Sequence, residues 1–130
     1  MSLIAKRRRI LVVDDEPLVG ETLALIFRRH ELDAAVALSA EEAFKIIATW
    51  EPDVAFLDVM LPGMNGIEFG ELLRAKYPNC QILLMSGHPM ATELLERTGK
   101  PDVAKSVLPK PLDPRHFVEI ARGAAPRASC

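Results

Sequence analysis

In this chain of 130 residues, five polar side chains end or closely follow apolar runs. Asp14 and Asp15 follow residues 10–13, Asp58 follows 54–57, Ser86 follows 82–85, and Lys110 stands just past 103–108. Three carboxylates brought together repel one another and hold their protons more tightly unless a cation joins them. Oxygen-only ligands at a shallow site favour a hard ion that keeps part of its water, so Mg²⁺ is the first choice. Carboxylates, such an ion, an ammonium and a hydroxyl are the parts that stabilise a phosphoryl group in transfer. That chemistry rests on positioning and on neutralising the equatorial oxygens. An Asp can itself be the nucleophile and form an acyl phosphate. Asp58 is the best placed for this, with the turn-rich stretch Leu61-Pro62-Gly63-Met64-Asn65-Gly66 behind it. Asp14 and Asp15 then hold the metal, Ser86 supplies a hydroxyl and Lys110 a point charge.

These residues meet only if the runs before them are parallel strands of one sheet. Residues 10–13 form a short continuous apolar run, as a strand buried on both faces requires. Pro17 opens a helix in its first turn, and Val19, Leu23, Ile26 and Phe27 keep helical spacing. Residues 33–38 read as a weaker strand. Ser39 with Glu42 forms a capping box for a helix that buries Ala43, Ile46, Ile47 and Trp50. Strands over 54–57 and 82–85 flank a helix over 68–76. A short helix is expected over 92–97, stopped by Gly99 and Pro101, then a fifth strand within 103–108. Asp113-Pro114 caps and opens a last helix, closed by Gly123 and Pro126. Such alternation argues for an α/β, doubly wound (βα)5 domain. Its five-stranded parallel sheet takes the order 2-1-3-4-5, with helices on both faces and a crevice at the strands' carboxyl ends.

Composition agrees with one domain, without internal repeat or linker: 49% apolar, 26% charged, net charge −2. A charge so near neutral gives no global case for nucleic-acid binding or membrane insertion. Four apolar residues before Asp14 are too few for a signal core, so a cytoplasmic location is expected. Cys80 and Cys130 are too far apart to suggest a disulfide framework or a zinc site. The basic run Lys6-Arg7-Arg8-Arg9 reads as a solvated lead-in, residues 1–9. The domain proper spans 8–123 and a short tail 124–130. The chain stops soon after its last helix, so it is expected to be free-standing or cut from a longer regulator or hybrid kinase.

Four segments resemble motifs of the response-regulator receiver family: Ile10-Leu11-Val12-Val13-Asp14-Asp15-Glu16-Pro17, Asp58-Val59-Met60-Leu61-Pro62-Gly63-Met64-Asn65-Gly66, Met85-Ser86-Gly87 and Lys110-Pro111. The resemblance covers roughly residues 8–123, and the four motifs stand in the family's order at compatible spacings. It implies a two-component signalling switch in which Asp58 accepts a phosphoryl group from a histidine kinase or phosphotransfer protein. Asp15 and Asp58 would bind Mg²⁺ through carboxylates, Met60 through its backbone carbonyl, and Asp14 largely through water. Ser86 would hydrogen-bond the phosphoryl oxygen, Lys110 would pair with it, and Gly87 would leave it room. The family also implies a cis peptide at Lys110–Pro111, a monomer or weak dimer, and an output partner or fused effector domain.

The sequence departs from the family at two places. Val107 occupies the switch position where the family has Tyr or Phe, and has no ring to swing behind Ser86. Thr98-Gly99-Lys100-Pro101-Asp102 replaces the usual small-residue stretch before the fifth strand. Each site residue also has a plain structural reading. Asp14 and Asp15 are favourable helix N-terminal charges, Asp58 and Ser86 suit turns, and Lys110 suits a solvated loop. Met60, Met64, Met85 and Met90 are ordinary core filler. Taken jointly, though, those readings require a coincidence. Met60 and His88 sit at the expected rim, where they would tune water access and signal lifetime.

Three other functions stay open. A small Mg²⁺-dependent phosphatase using Asp58 would need a substrate pocket, for which the chain has no cap domain. A flavodoxin-like cofactor binder would need a phosphate loop after the first strand, where none stands. A degenerate receiver would signal without phosphorylation.

Overall fold

The structure is a computed structural model that describes residues 7–86, 107–109 and 113–123. Its elements are β1 (Arg9–Val13), α1 (Pro17–Arg29), β2 (Asp33–Ala37), α2 (Ala40–Ile47), β3 (Val54–Asp58), α3 (Gly66–Lys76), β4 (Gln81–Ser86), β5 (Val107–Pro109) and α4 (Pro114–Ala121). The helix expected over 92–97, with its stop at Gly99 and Pro101, lies outside the described residues, as do Cys130 and the tail. The five strands form one sheet in the order β2-β1-β3-β4-β5, every pair parallel, as the alternation predicts.

The side-chain period of two divides each central strand between two cores. Ile10, Val12, Val54, Phe56, Leu83 and Met85 face Leu23 and Phe27 of α1 and Phe117, Val118 and Ile120 of α4. Leu11, Val13, Ala55, Leu57 and Leu84 face Ala43 and Ile47 of α2 and Phe69 and Leu73 of α3. β3 is buried along its whole length, which is why it reads as a continuous apolar run ending in Asp58.

Local chemistry sets where the helices begin. Pro17 occupies the first turn of α1. Ser39 Oγ accepts from the Glu42 amide at 3.2 Å, while the Glu42 carboxylate reaches one residue further than a capping box requires, to the Leu38 amide at 3.3 Å. α3 starts two residues before the expected position. Asn65 and Glu68 form a full reciprocal capping box there, with bonds of 2.9 and 3.3 Å. Asp113 Oδ1 accepts from the Arg115 amide at 3.0 Å and caps α4.

Two sequence expectations need correcting. Trp50 lies beyond the end of α2 and, like Ile46, is only partly buried. The Arg9 guanidinium stands 5.6 Å from its ring centroid, a cation–π contact. The basic run is also more than a solvated lead-in. Arg9 is the first residue of β1, and Arg8 Nε donates to the Ala121 carbonyl at 2.8 Å, tying the start of the sheet to the end of α4. Among the described residues, no helix is long and apolar enough to cross a membrane.

Candidate functional site

The parallel register brings the polar residues at the strand ends into line. Val13 pairs with Leu57, so β1 and β3 leave the sheet side by side, one into Asp14 and the other at Asp58. Asp58 in turn pairs with Met85, and the Val59 amide donates to the Met85 carbonyl at 2.9 Å. Ser86 follows as the last residue of β4, half-buried and paired with Pro109. Asp14, Asp58 and Ser86 therefore lie at the carboxyl ends of adjacent strands. β5 ends at Pro109, just before Lys110. Lys110, Pro111 and the peptide between them, with Gly87 and His88, lie outside the described residues. Val107 is placed by its backbone in register with Leu84.

Burial divides the carboxylates. Asp14 is fully enclosed and Asp58 is 5% exposed, and they are the buried charged residues among those described. Asp15 and Glu16 are exposed. Enclosing an ionised carboxylate is costly unless hydrogen bonds and an opposite charge compensate. Part of that compensation comes from the backbone. Asp14 Oδ1 accepts from the Glu16 amide at 2.9 Å, and Asp58 Oδ1 accepts from the Met60 amide at 3.1 Å. Each is a bond from a carboxylate to the amide two residues on, which fixes the side chain against its own loop. The Asp14 amide donates to the Ala37 carbonyl at 3.1 Å and extends the β1–β2 ladder by one step.

Ligand atoms of Asp14, Asp15 and Glu16 lie within 4.8 Å of one another. Asp58 stands on the neighbouring strand end, outside that group. All the donors are oxygens, a set that suits a hard divalent cation better than a soft one. Glu16 joins this group, although in the sequence it shows only as the acidic residue before Pro17. Met60 is 36% exposed at the rim, its amide engaged by Asp58.

Residues 10–122 match the family model described as response regulator receiver domain. The chain is 34% identical over 116 residues to the DNA-binding response regulator MtrA of Mycolicibacterium smegmatis, covering 89% of this chain and 50% of that protein. It is 30% identical to the alkaline phosphatase synthesis transcriptional regulatory protein SphR of Synechococcus elongatus, covering 92% of this chain and 49% of that protein. The chain thus spans about half the length of the curated relatives it matches. Among solved structures it resembles a CheY-like receiver domain protein from Methanospirillum hungatei, with a TM-score of 0.78 at 23% identity over 90% of this chain and 92% of that one. It also resembles the receiver domain of NtrX from Brucella abortus, with a TM-score of 0.71 at 26% identity over 87% and 94% of the two chains. The first two relatives are named as DNA-binding and transcriptional regulators, so the expectation of no direct nucleic-acid contact gains no support from them. A parallel sheet in the order 2-1-3-4-5 with carboxylates at its central strand ends, and a family match over nearly its whole length, make this chain a member of the response-regulator receiver family of two-component signalling.

Proposed function

We propose that this domain accepts a phosphoryl group on Asp58 from the phosphohistidine of a histidine kinase or phosphotransfer protein and thereby changes a partner-binding surface. The observation that carries the proposal is the side-by-side exit of β1 and β3 into two buried carboxylates, beside the exposed Asp15 and Glu16. An Asp58 carboxylate oxygen attacks phosphorus, the P–N bond breaks, and its electron pair returns to the imidazole nitrogen. Mg²⁺ bound at the oxygen cluster would neutralise the phosphoryl oxygens. Asp15, Asp58 and the Met60 carbonyl would hold the ion directly. Asp14, enclosed and already accepting from the Glu16 amide, would act through water. Ser86 would donate to a phosphoryl oxygen and Lys110 would pair with it.

The receiver unit is assigned to residues 8–123, with 1–9 as lead-in and 124–130 as tail. It acts in the cytoplasm as a monomer or weak dimer. Its relatives carry about as much chain again, so an output domain or separate effector would read the phosphorylated state. It is a switch that catalyses only its own phosphorylation and slow dephosphorylation. Val107 favours a second reading: without an aromatic ring three residues before Lys110, the domain would signal by another route, or without phosphorylation.

Incubation with Mg²⁺ and acetyl phosphate, followed by intact mass measurement, tests this. A gain of one phosphoryl group, lost with EDTA and absent in Asp58→Asn, is the expected outcome. Unmodified wild-type protein that still binds Mg²⁺ would favour the degenerate receiver.

A further inference from the structure

Gly66 is the first residue of α3, eight positions beyond Asp58. A Cβ built on it would overlap the Asp58 carbonyl oxygen and lie 2.8 Å from the Asp58 carbonyl carbon and 3.2 Å from Val59 Cα. All three are backbone atoms, so no side chain can swing aside to make room. The Gly66 amide donates to the Val59 carbonyl at 3.1 Å, and the Asn65–Glu68 capping box fixes the helix start on the same spot. At the other end of this loop the Met60 amide holds Asp58 Oδ1. The loop from 59 to 65 is thus tied at both ends to the residue that would accept the phosphoryl group.

We infer that Gly66 is a positioning residue for Asp58 and for the Met60 carbonyl, an inference that rests on the proposed function. A side chain at 66 must separate α3 from the end of β3. β3 cannot yield, because β1 and β4 pair with it on both sides. The displacement therefore falls on the loop that carries Met60, and it must exceed about 1 Å if an ordinary contact is to be restored. Misplacement on that scale at a reacting centre costs about 10²-fold in rate. Gly70 is the internal contrast. It lies one turn further along the same helix, and a Cβ there would meet only side chains, Leu57 Cδ1 at 3.3 Å and Ile82 Cγ2 at 3.5 Å.

The test compares wild type, Gly66→Ala and Gly70→Ala by ¹⁵N–¹H spectra without metal, by Mg²⁺ titration of those spectra, and by phosphorylation with acetyl phosphate. Gly66→Ala should displace the Met60 amide resonance, raise the Mg²⁺ concentration at half-saturation at least several-fold, and slow phosphorylation about 10²-fold. Gly70→Ala should leave all three near wild type. Equal effects of the two variants, or an unmoved Met60 resonance in Gly66→Ala, would overturn the inference. If wild type takes up no phosphoryl group, the functional reading fails, while the metal-free spectra still decide whether Gly66 sets the loop. Should Gly66→Ala not fold, wild type alone decides: Mg²⁺ should shift the Val59, Met60 and Gly66 amides with one midpoint. A Gly66 amide that ignores the metal while Met60 responds would show that the loop's two ends are uncoupled.

Discussion

The acids at opposite ends of the sheet meet burial with different help. At the carboxyl end, Asp14 and Asp58 each accept a backbone amide two residues on, which suits an ionised group. At the other end, Cys80 is 5% exposed, packs in the apolar core, and its thiol donates to the Gln81 carbonyl at 3.7 Å. Burial raises its pKa, the nearby Asp53 and Glu51 carboxylates add to the rise, Arg74 opposes it, and the value is pushed up from 9.0 to about 12. The folded chain therefore keeps a proton that the unfolded chain releases above pH 9. The resulting stabilisation is complete below pH 9 and is lost as pH rises toward 12. Urea denaturation of wild type and Cys80→Ala across that range should show a steeper decline for wild type; parallel declines would mean the thiol does not couple to folding. The sequence displayed Asp14 and Asp58 because an acidic residue ending an apolar run has no core role. It concealed Glu16, which looked like any acidic helix start. Gly66 ends the motif that Asp58 begins, but its closeness to the Asp58 carbonyl depends on how α3 returns to β3.

At the scale of elements, β2 is one of the sheet's two edge strands and is less buried than β1 and β3. Its residues Ala34, Ala35 and Val36 are half-buried, and Arg28 of α1 donates to the outward Ala34 carbonyl at 2.8 Å. A charged side chain laid over an edge carbonyl leaves one fewer group for a foreign strand to pair with. α1 gets close enough to do this because residue 20 is glycine: a Cβ there would lie 2.6 Å from Val36 Cγ1. Val is stiff at χ1 and cannot swing clear. Gly20→Ala gains about 1 kcal/mol of helix propensity. It also incurs an overpacking cost of about 1–3 kcal/mol. The net effect should be a modest loss of stability. In a Val36→Ala background the clash is gone and the same substitution should stabilise. A double-mutant cycle by urea denaturation should give a coupling of about 1–3 kcal/mol, as for residues in direct contact; additive effects would show that α1 simply moves away. The alternation of runs and caps made these elements readable in advance to within a residue or two. The close approach of α1 to β2 was not readable, since glycine in a helix gives no sign of what lies opposite it.

Across the whole molecule, a chain with only 5% aromatic residues places all five phenylalanines in two clusters, one on each face of the sheet. Phe56 of β3 lies 5.5 Å from Phe27 of α1 and 4.9 Å from Phe117 of α4, so one ring joins the central strand to both helices of its face. Phe44 and Phe69 meet edge to face at 5.0 Å on the other side. Truncating a buried Phe costs about 3–5 kcal/mol. A domain of this size has about 5–15 kcal/mol in total. Phe56→Ala should therefore remove a large share of the stability, and Phe44→Ala less, because Phe44 is already partly exposed. The protein carries its own reporter of whether that loss is felt everywhere. Its single tryptophan, Trp50, packs against the core on the face opposite Phe56. If the sheet couples the two cores into one cooperative unit, Phe56→Ala will lower the urea midpoint of Trp50 fluorescence as much as that of far-ultraviolet circular dichroism. A fluorescence midpoint that stays at the wild-type value while the dichroism midpoint falls would mean that the two faces unfold separately. In that case the strand ends bearing Asp14 and Asp58 could keep their register after the α1–α4 face had opened.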